Sequence, residues 1–206
     1  MVRESNPETT DPRVQRTKQQ LRRALVELLK TATTKEISIQ AITKQAQITR
    51  GTFYLHYEDK TDFIQKAVQD LIRDLYQTVT IQNDKMAQPY QQINLLALFE
   101  YVERRQDAFK VFHKNDTSLA FKQQLTTEMR RLIEAYFNNL FQEATQSDQI
   151  ELSITADYLA GASLVLVFKW IEDGLVYSPR YMAKMLYQLV QMPNMAFNVA
   201  GFFVEA

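Results

Sequence analysis

The sequence predicts an all-α protein, an N-terminal three-helix unit followed by a larger helical body. Only four Gly and five Pro occur in 206 residues, so most of the chain can run as helix without interruption. Apolar residues recur at i, i+3, i+4 and i+7 along segment after segment, the period of a helix that buries one face. An apolar share of 46% against 23% charged lets such helices bury a core and stay soluble, in one domain or two small ones.

Asp11-Pro12 reads as a cap with Pro at the first helical position, and Leu21, Leu25, Leu28 and Leu29 follow at helical spacing. Ser38 is a second cap, ahead of Ile39, Ile42 and Ala46 on one stripe. Thr49 is a third and opens a short segment from Arg50 to His56, with only Gln47-Ile48 as connection. Asp59 or Thr61 starts a long helix, carrying Phe63, Ile64, Ala67, Val68, Leu71, Ile72 and Leu75, that should run to about Val79. Beyond a polar patch, Gln82 to Gln88, the spacing predicts helices over roughly Pro89 to Arg105, Ala108 to His113, and from Asp116 or Thr117 to Ala144. After a break at Thr145 to Gln149, a helix from Ser153 to Asp173 stops at Gly174. Ser178-Pro179 caps a last helix ending by Pro193, and an apolar tail with Phe197, Phe202 and Phe203 should pack against something.

Composition removes whole classes of function. Without Cys there are no thiolate metal sites or Cys nucleophiles. His56 and His113 are the only histidines, and no spacing supports a metal site built from His113, Asp116 and Glu128. Four scattered glycines form no phosphate-cradling loop, and no paired carboxylates face a nucleophile, so an enzyme is not expected. The polar, acid-bearing start is unlike a targeting peptide. The longest uncharged apolar stretch, Tyr158 to Phe168, covers 11 residues, about half a membrane span. A cytoplasmic protein without membrane partner or cofactor is expected.

Charge is zero overall, with 24 basic and 24 acidic residues. Yet Arg13 to Leu55 holds nine basic residues and two acids, a net +7, which leaves −7 elsewhere. A basic head therefore precedes an acidic body, the distribution a phosphate-binding face requires.

Two short helices with a tight connection have the geometry of a helix-turn-helix, whose second helix enters the major groove. Arg50 can donate a bidentate pair to guanine, Thr52 can meet a base edge, and Gly51 lets the helix come close. Tyr54, His56, Tyr57 and Lys60 offer phosphate donors. The stretch Ile39 to Phe63, IQAITKQAQITRGTFYLHYEDKTDF, closely resembles the signature of the TetR family of transcriptional regulators, over roughly residues 15 to 75. The resemblance implies that Ser38, Thr49, Arg50, Gly51, Thr52, Tyr54, His56 and Lys60 face DNA, with Phe53 and Tyr57 as core residues locking the recognition helix. It divides the chain into a DNA-binding domain, 1–57, and a helical effector-binding and dimerisation domain, 58–206. The segment Phe99 to His113 is similar, less specifically, to the DhaS-like regulators and co-activators.

In the body, Phe99, Phe109, Phe112, Phe121, Tyr136, Phe137 and Tyr158 are candidates to line an apolar effector cavity, although such a stripe more often fills a core. A small-residue patch around Gly161, with Leu164, Phe168 and Trp170, and a last helix with Met182, Met185 and Leu189, are candidates for a two-fold interface. The expectation is a homodimeric repressor that binds a palindromic double-stranded DNA operator and responds to a small-molecule effector. The alternative is a co-activator or adaptor acting through protein partners.

Overall fold

The computed structural model describes residues 11–83, 90–140, 145–191 and 202–204, and the tail residue Phe197 lies outside them. Each helix of the head starts where a side chain satisfies backbone N–H groups that have no partner inside the helix. Asp11 accepts from the Arg13 N–H at 2.8 Å to open α1 (Pro12–Leu29). Ser38 accepts from Ala41 at 3.1 Å to open α2 (Ile39–Gln45), and Thr49 from Thr52 at 3.0 Å to open α3 (Arg50–Tyr54). Asp59 accepts from Asp62 at 2.8 Å and starts the long helix α4 (Lys60–Val79).

The turn between α2 and α3 is a hydrogen-bonded helix ending. Gln47 sits at φ 57°, its N–H bonds the Lys44 carbonyl at 3.2 Å, and the Ile48 N–H bonds the Thr43 carbonyl at 3.0 Å. These two bonds close the end of α2 around a left-handed residue, a place usually taken by Gly. Ile48 packs on the core immediately after it, which fixes the angle at which α3 leaves.

The body departs from the expected all-helical run at one place. Instead of a helix from Pro89, β1 (Thr80–Asn83) pairs antiparallel with β2 (Tyr90–Asn94), and β3 (Phe203–Val204) adds parallel to β2 with Ile93 opposite Phe203. Phe202 and Phe203 are fully buried, so this part of the apolar tail does pack, and the strand it supports is decided by a partner more than a hundred residues away. Asn94 then caps α5 (Leu95–Arg104), accepting from Ala97 at 2.9 Å.

The remaining helices are α6 (Gln106–Lys114), α7 (Ser118–Leu140), α8 (Gln146–Glu172) and α9 (Pro179–Val190). The break expected at Thr145 to Gln149 is helical from Gln146 onward, seven residues before the expected start. At the far end Gly174, at φ 84°, stops α8 with bonds from Gly174 to Ile171 and Leu175 to Trp170. The most extensive packing is of α7 on α8 and of α5 on α9. One continuous apolar core runs from Leu21 in α1 through α4 to Val190 in α9. Helix α4 supplies both ends of it, Phe63, Ile64, Ala67 and Val68 beneath the head and Ile72, Leu75, Tyr76 and Val79 within the body.

Candidate nucleic-acid interface

Phe53, Tyr57 and Phe63 hold α3 in place. All three are buried, and their ring centroids lie 4.8 to 5.5 Å apart in edge-on or tilted contacts, arrangements that add to the burial itself. Burial pushes the Tyr57 hydroxyl up to about 12, so it is a neutral core group at ordinary pH. The turn of α3 opposite this anchor faces solvent. Thr49, Arg50, Gly51 and Tyr54 are exposed, and Thr52 and His56 half-buried. The Thr49 and Thr52 hydroxyls lie 2.9 Å apart.

Gly51 is informative because nothing inside the chain requires it. A Cβ there would meet only the Thr49 hydroxyl at 3.7 Å, ordinary contact, and its φ is not positive. Glycine in a helix costs about 0.5–1 kcal/mol relative to Ala. The chain's own packing therefore gives no reason for glycine at this exposed position.

The head's cations divide by whether a carboxylate meets them. Among the described residues Arg22 pairs with Asp70 at 2.5 Å, and Lys30 with Asp107 at 2.7 Å and Glu27 at 2.9 Å. The other seven basic residues of the head, Arg13, Arg16, Lys18, Arg23, Lys35, Lys44 and Arg50, have no carboxylate partner there. Ser38 stays exposed with its hydroxyl capping α2.

Lys60 is placed differently from the phosphate contact expected of it. Its ammonium donates to the carbonyls of Thr34 at 2.7 Å, Ile37 at 2.8 Å and Lys35 at 3.4 Å. An ammonium has three N–H bonds, and here all three are directed into the loop between α1 and α2. Lys60 thus ties α4 to that loop and positions α2 and α3.

In the body, Phe99, Phe109, Phe112, Phe121, Tyr136 and Phe137 are buried and pack ring against ring. Phe121 lies 5.7 Å from both Phe109 and Phe112, Phe99 5.3 Å from Trp170, and Tyr136 5.9 Å from Phe137. The enclosed space beside Phe109 measures about 10 Å³, at or below the room one water needs. These aromatics are core; of the seven candidates only Phe112 borders a ligand-sized space, the cleft between head and body. Tyr158 is not among them, since it stands 62% exposed on the outer side of α8.

The interface candidates divide in the same way. Leu164, Phe168, Trp170 and Met182 are buried in the chain's own core. Phe168 stacks on the His113 ring at 4.3 Å, and Trp170 Nε1 donates to the Tyr177 carbonyl at 2.9 Å. Gly161 and Met185 are half-buried, and Leu189 is exposed. The large apolar side chains α8 leaves in solvent are Ile150, Ile154, Tyr158 and Val165, and α9 leaves Tyr181 and Leu189 exposed. Helix α8 is apolar on every side, so periodicity could not separate its inner from its outer face.

Head and body also meet through polar groups that sequence reasoning missed. Thr34 donates to Asp116 at 2.6 Å, and the Asn115 amide donates to the Leu29 carbonyl at 3.3 Å. Within the body, His113 Nε2 of α6 lies 2.7 Å from Glu172 of α8, whose carboxyl this contact holds below the usual range. A cleft of about 740 Å³ opens between α1, α4 and the turn from α5 to α6.

A three-helix unit whose last helix, α3, is capped by Thr49 and carries an exposed glycine, in a head where seven cations have no carboxylate partner among the described residues, has the make-up of a helix-turn-helix regulator with a helical body. Residues 90–192, half of the chain, match the family described as a transcriptional regulator C-terminal region of the TetR type. The chain belongs to the TetR family of transcriptional regulators. It is 21% identical over 182 residues to an uncharacterized HTH-type transcriptional regulator, YxbF, of Bacillus subtilis strain 168, covering 83% of this chain and 44% of that protein. The chain therefore spans less than half the length of that relative. Among solved structures it resembles the dihydroxyacetone kinase operon activator DhaS, with TM-score 0.58, 18% identity, and 84% and 93% of the two chains covered. It also resembles a provisionally assigned transcriptional regulator from Pseudomonas aeruginosa PAO1, with TM-score 0.57, 18% identity and 91% of each chain covered. At these identities the likeness is one of fold.

Proposed function

We propose that the protein is a homodimeric repressor whose head, residues 1–57, reads one half of a palindromic operator by laying α3 in the major groove, while residues 58–206 dimerise and respond to an effector. The observation that carries this is Gly51, a helix-weakening residue on the outward side of α3 that the chain's own packing does not need. Close approach of the helix to DNA gives it a reason. Arg50 then donates to guanine O6 and N7, Thr52 meets a base edge, and Thr49, Tyr54, His56 and the carboxylate-free cations of the head contact the backbone.

Two heads must stand about 34–36 Å apart to enter successive major grooves on one side of the duplex, so a dimer is needed to set the spacing. The exposed stripe of α8 with Tyr181 and Leu189 of α9 forms its contact. An effector seated in the head–body cleft, two of whose walls are α1 and α4, acts on the head directly. The ring-on-ring packing of the body's aromatic candidates also favours a second reading, control through a protein partner, in line with the activator role in the name of the structural relative DhaS.

The test is a gel shift at low salt with the promoter DNA next to the protein's own gene. Wild type should shift it. Gly51→Ala should bind more weakly while unfolding about 0.5–1 kcal/mol harder. Absence of any shift by wild type removes the DNA-reading assignment and leaves the partner-protein one.

A further inference from the structure

Leu55 is 80% exposed, more than any other large apolar side chain among the described residues. It continues the helical path of α3 at φ −69°, ψ −19°. At 3.6 residues per turn, Gly51 and Leu55 point about 20° to either side of the direction opposite buried Phe53. They form the outermost line of the helix, and only one of them has a side chain. Helical side chains lean toward the N-terminus, which puts Leu55 on the side of the helix between Thr52 and Tyr54, clear of the place a Cβ on Gly51 would take.

We propose that Leu55 is a specificity-determining residue that reads a thymine in the major groove through the base's 5-methyl group. The inference rests on the head reading DNA, and it names a base that polar contacts leave unspecified. Thymine alone presents a methyl group in that groove. A leucine there has no donor for phosphate, but it removes apolar surface from water on both partners when it meets the methyl. Cytosine at the same place would bury its amino group against a side chain that cannot accept a hydrogen bond, which disfavours it.

The experiment begins with selection of the full-length protein on a randomised duplex library at low salt. Each thymine of the enriched sequence is then replaced by uracil, which pairs identically and lacks the methyl, and Kd is measured for wild type and Leu55→Ala. Wild type should lose about fourfold at one thymine per half-site, the worth of one buried methyl group. Leu55→Ala should be indifferent to that replacement, and its own selection should lose the thymine preference there. Because Leu55 touches solvent, its variant should melt with wild type, and the same Tm reports an intact fold. An enriched sequence with no methyl-sensitive thymine, or an equal uracil penalty in both proteins, overturns the Leu55 assignment and leaves DNA reading intact. No enrichment by wild type overturns DNA reading, and Leu55's role with it.

Discussion

Lys60 shows how one residue type at one position can carry two different jobs. At the start of α4, beside free N–H groups, a lysine is well placed for phosphate, and the sequence supports that reading. Three carbonyls of the loop between α1 and α2 instead collect its three N–H bonds. Those carbonyls belong to residues 34 to 37, too far along the chain for any local pattern to reveal. Lys60→Met keeps the aliphatic stem and leaves the carbonyls without their donor. It should destabilise the head by about 1–3 kcal/mol, the range for a charge-assisted group whose partners lose it, read by urea unfolding. DNA affinity should fall in step with the loss of ordered head, whereas the slope of log Kd against log salt should stay at the wild-type value. A slope reduced by about one would restore the phosphate contact.

At the scale of elements, the helices were legible wherever a capping side chain sits just ahead of an apolar stripe. Asp11, Ser38, Thr49 and Ser178 each start a helix where the sequence places one. The signals are local, so they survive without tertiary information. The small sheet was not legible, because Tyr90–Asn94 has no hydrophobic alternation to announce it and becomes a strand by lying between β1 and β3. Its parallel partner arrives from the C-terminus, where the Ile93 N–H bonds the Phe202 carbonyl at 3.0 Å. Phe203→Ala should therefore destabilise the protein by about 3–5 kcal/mol, the usual loss for a buried Phe, in thermal or denaturant unfolding. Hydrogen exchange should show the Ile93 amide opening faster in the variant while α3 keeps its wild-type protection. Equal exposure of both would mean that the sheet and the head unfold as one unit.

Across the whole molecule, the net charge of zero conceals +7 over residues 13–55 against −7 over the rest of the chain, and the outer face of α8 conceals a second asymmetry. Gln149–Glu172 is long and apolar enough to cross a membrane by length and composition, with 39% of its most apolar window buried in the chain. Part of that apolarity faces solvent as Ile150, Ile154, Tyr158 and Val165, and a stripe rather than a full circumference is what a second copy of the chain would cover. Trp170 and Phe168 were natural anchors to expect from the sequence, but both already fill the core, so replacing either would unfold the monomer and say nothing of assembly. Tyr158→Glu with Val165→Glu separates the two effects. Neither side chain is needed for the chain's own packing, so Tm at low concentration should change little once a monomer reference is reached. Charge repulsion across a two-fold contact should shift sedimentation from dimer to monomer, and operator affinity should fall by orders of magnitude because two heads no longer bind as one unit. A variant that still sediments as a dimer would move the two-fold contact off α8 and onto another face of the body.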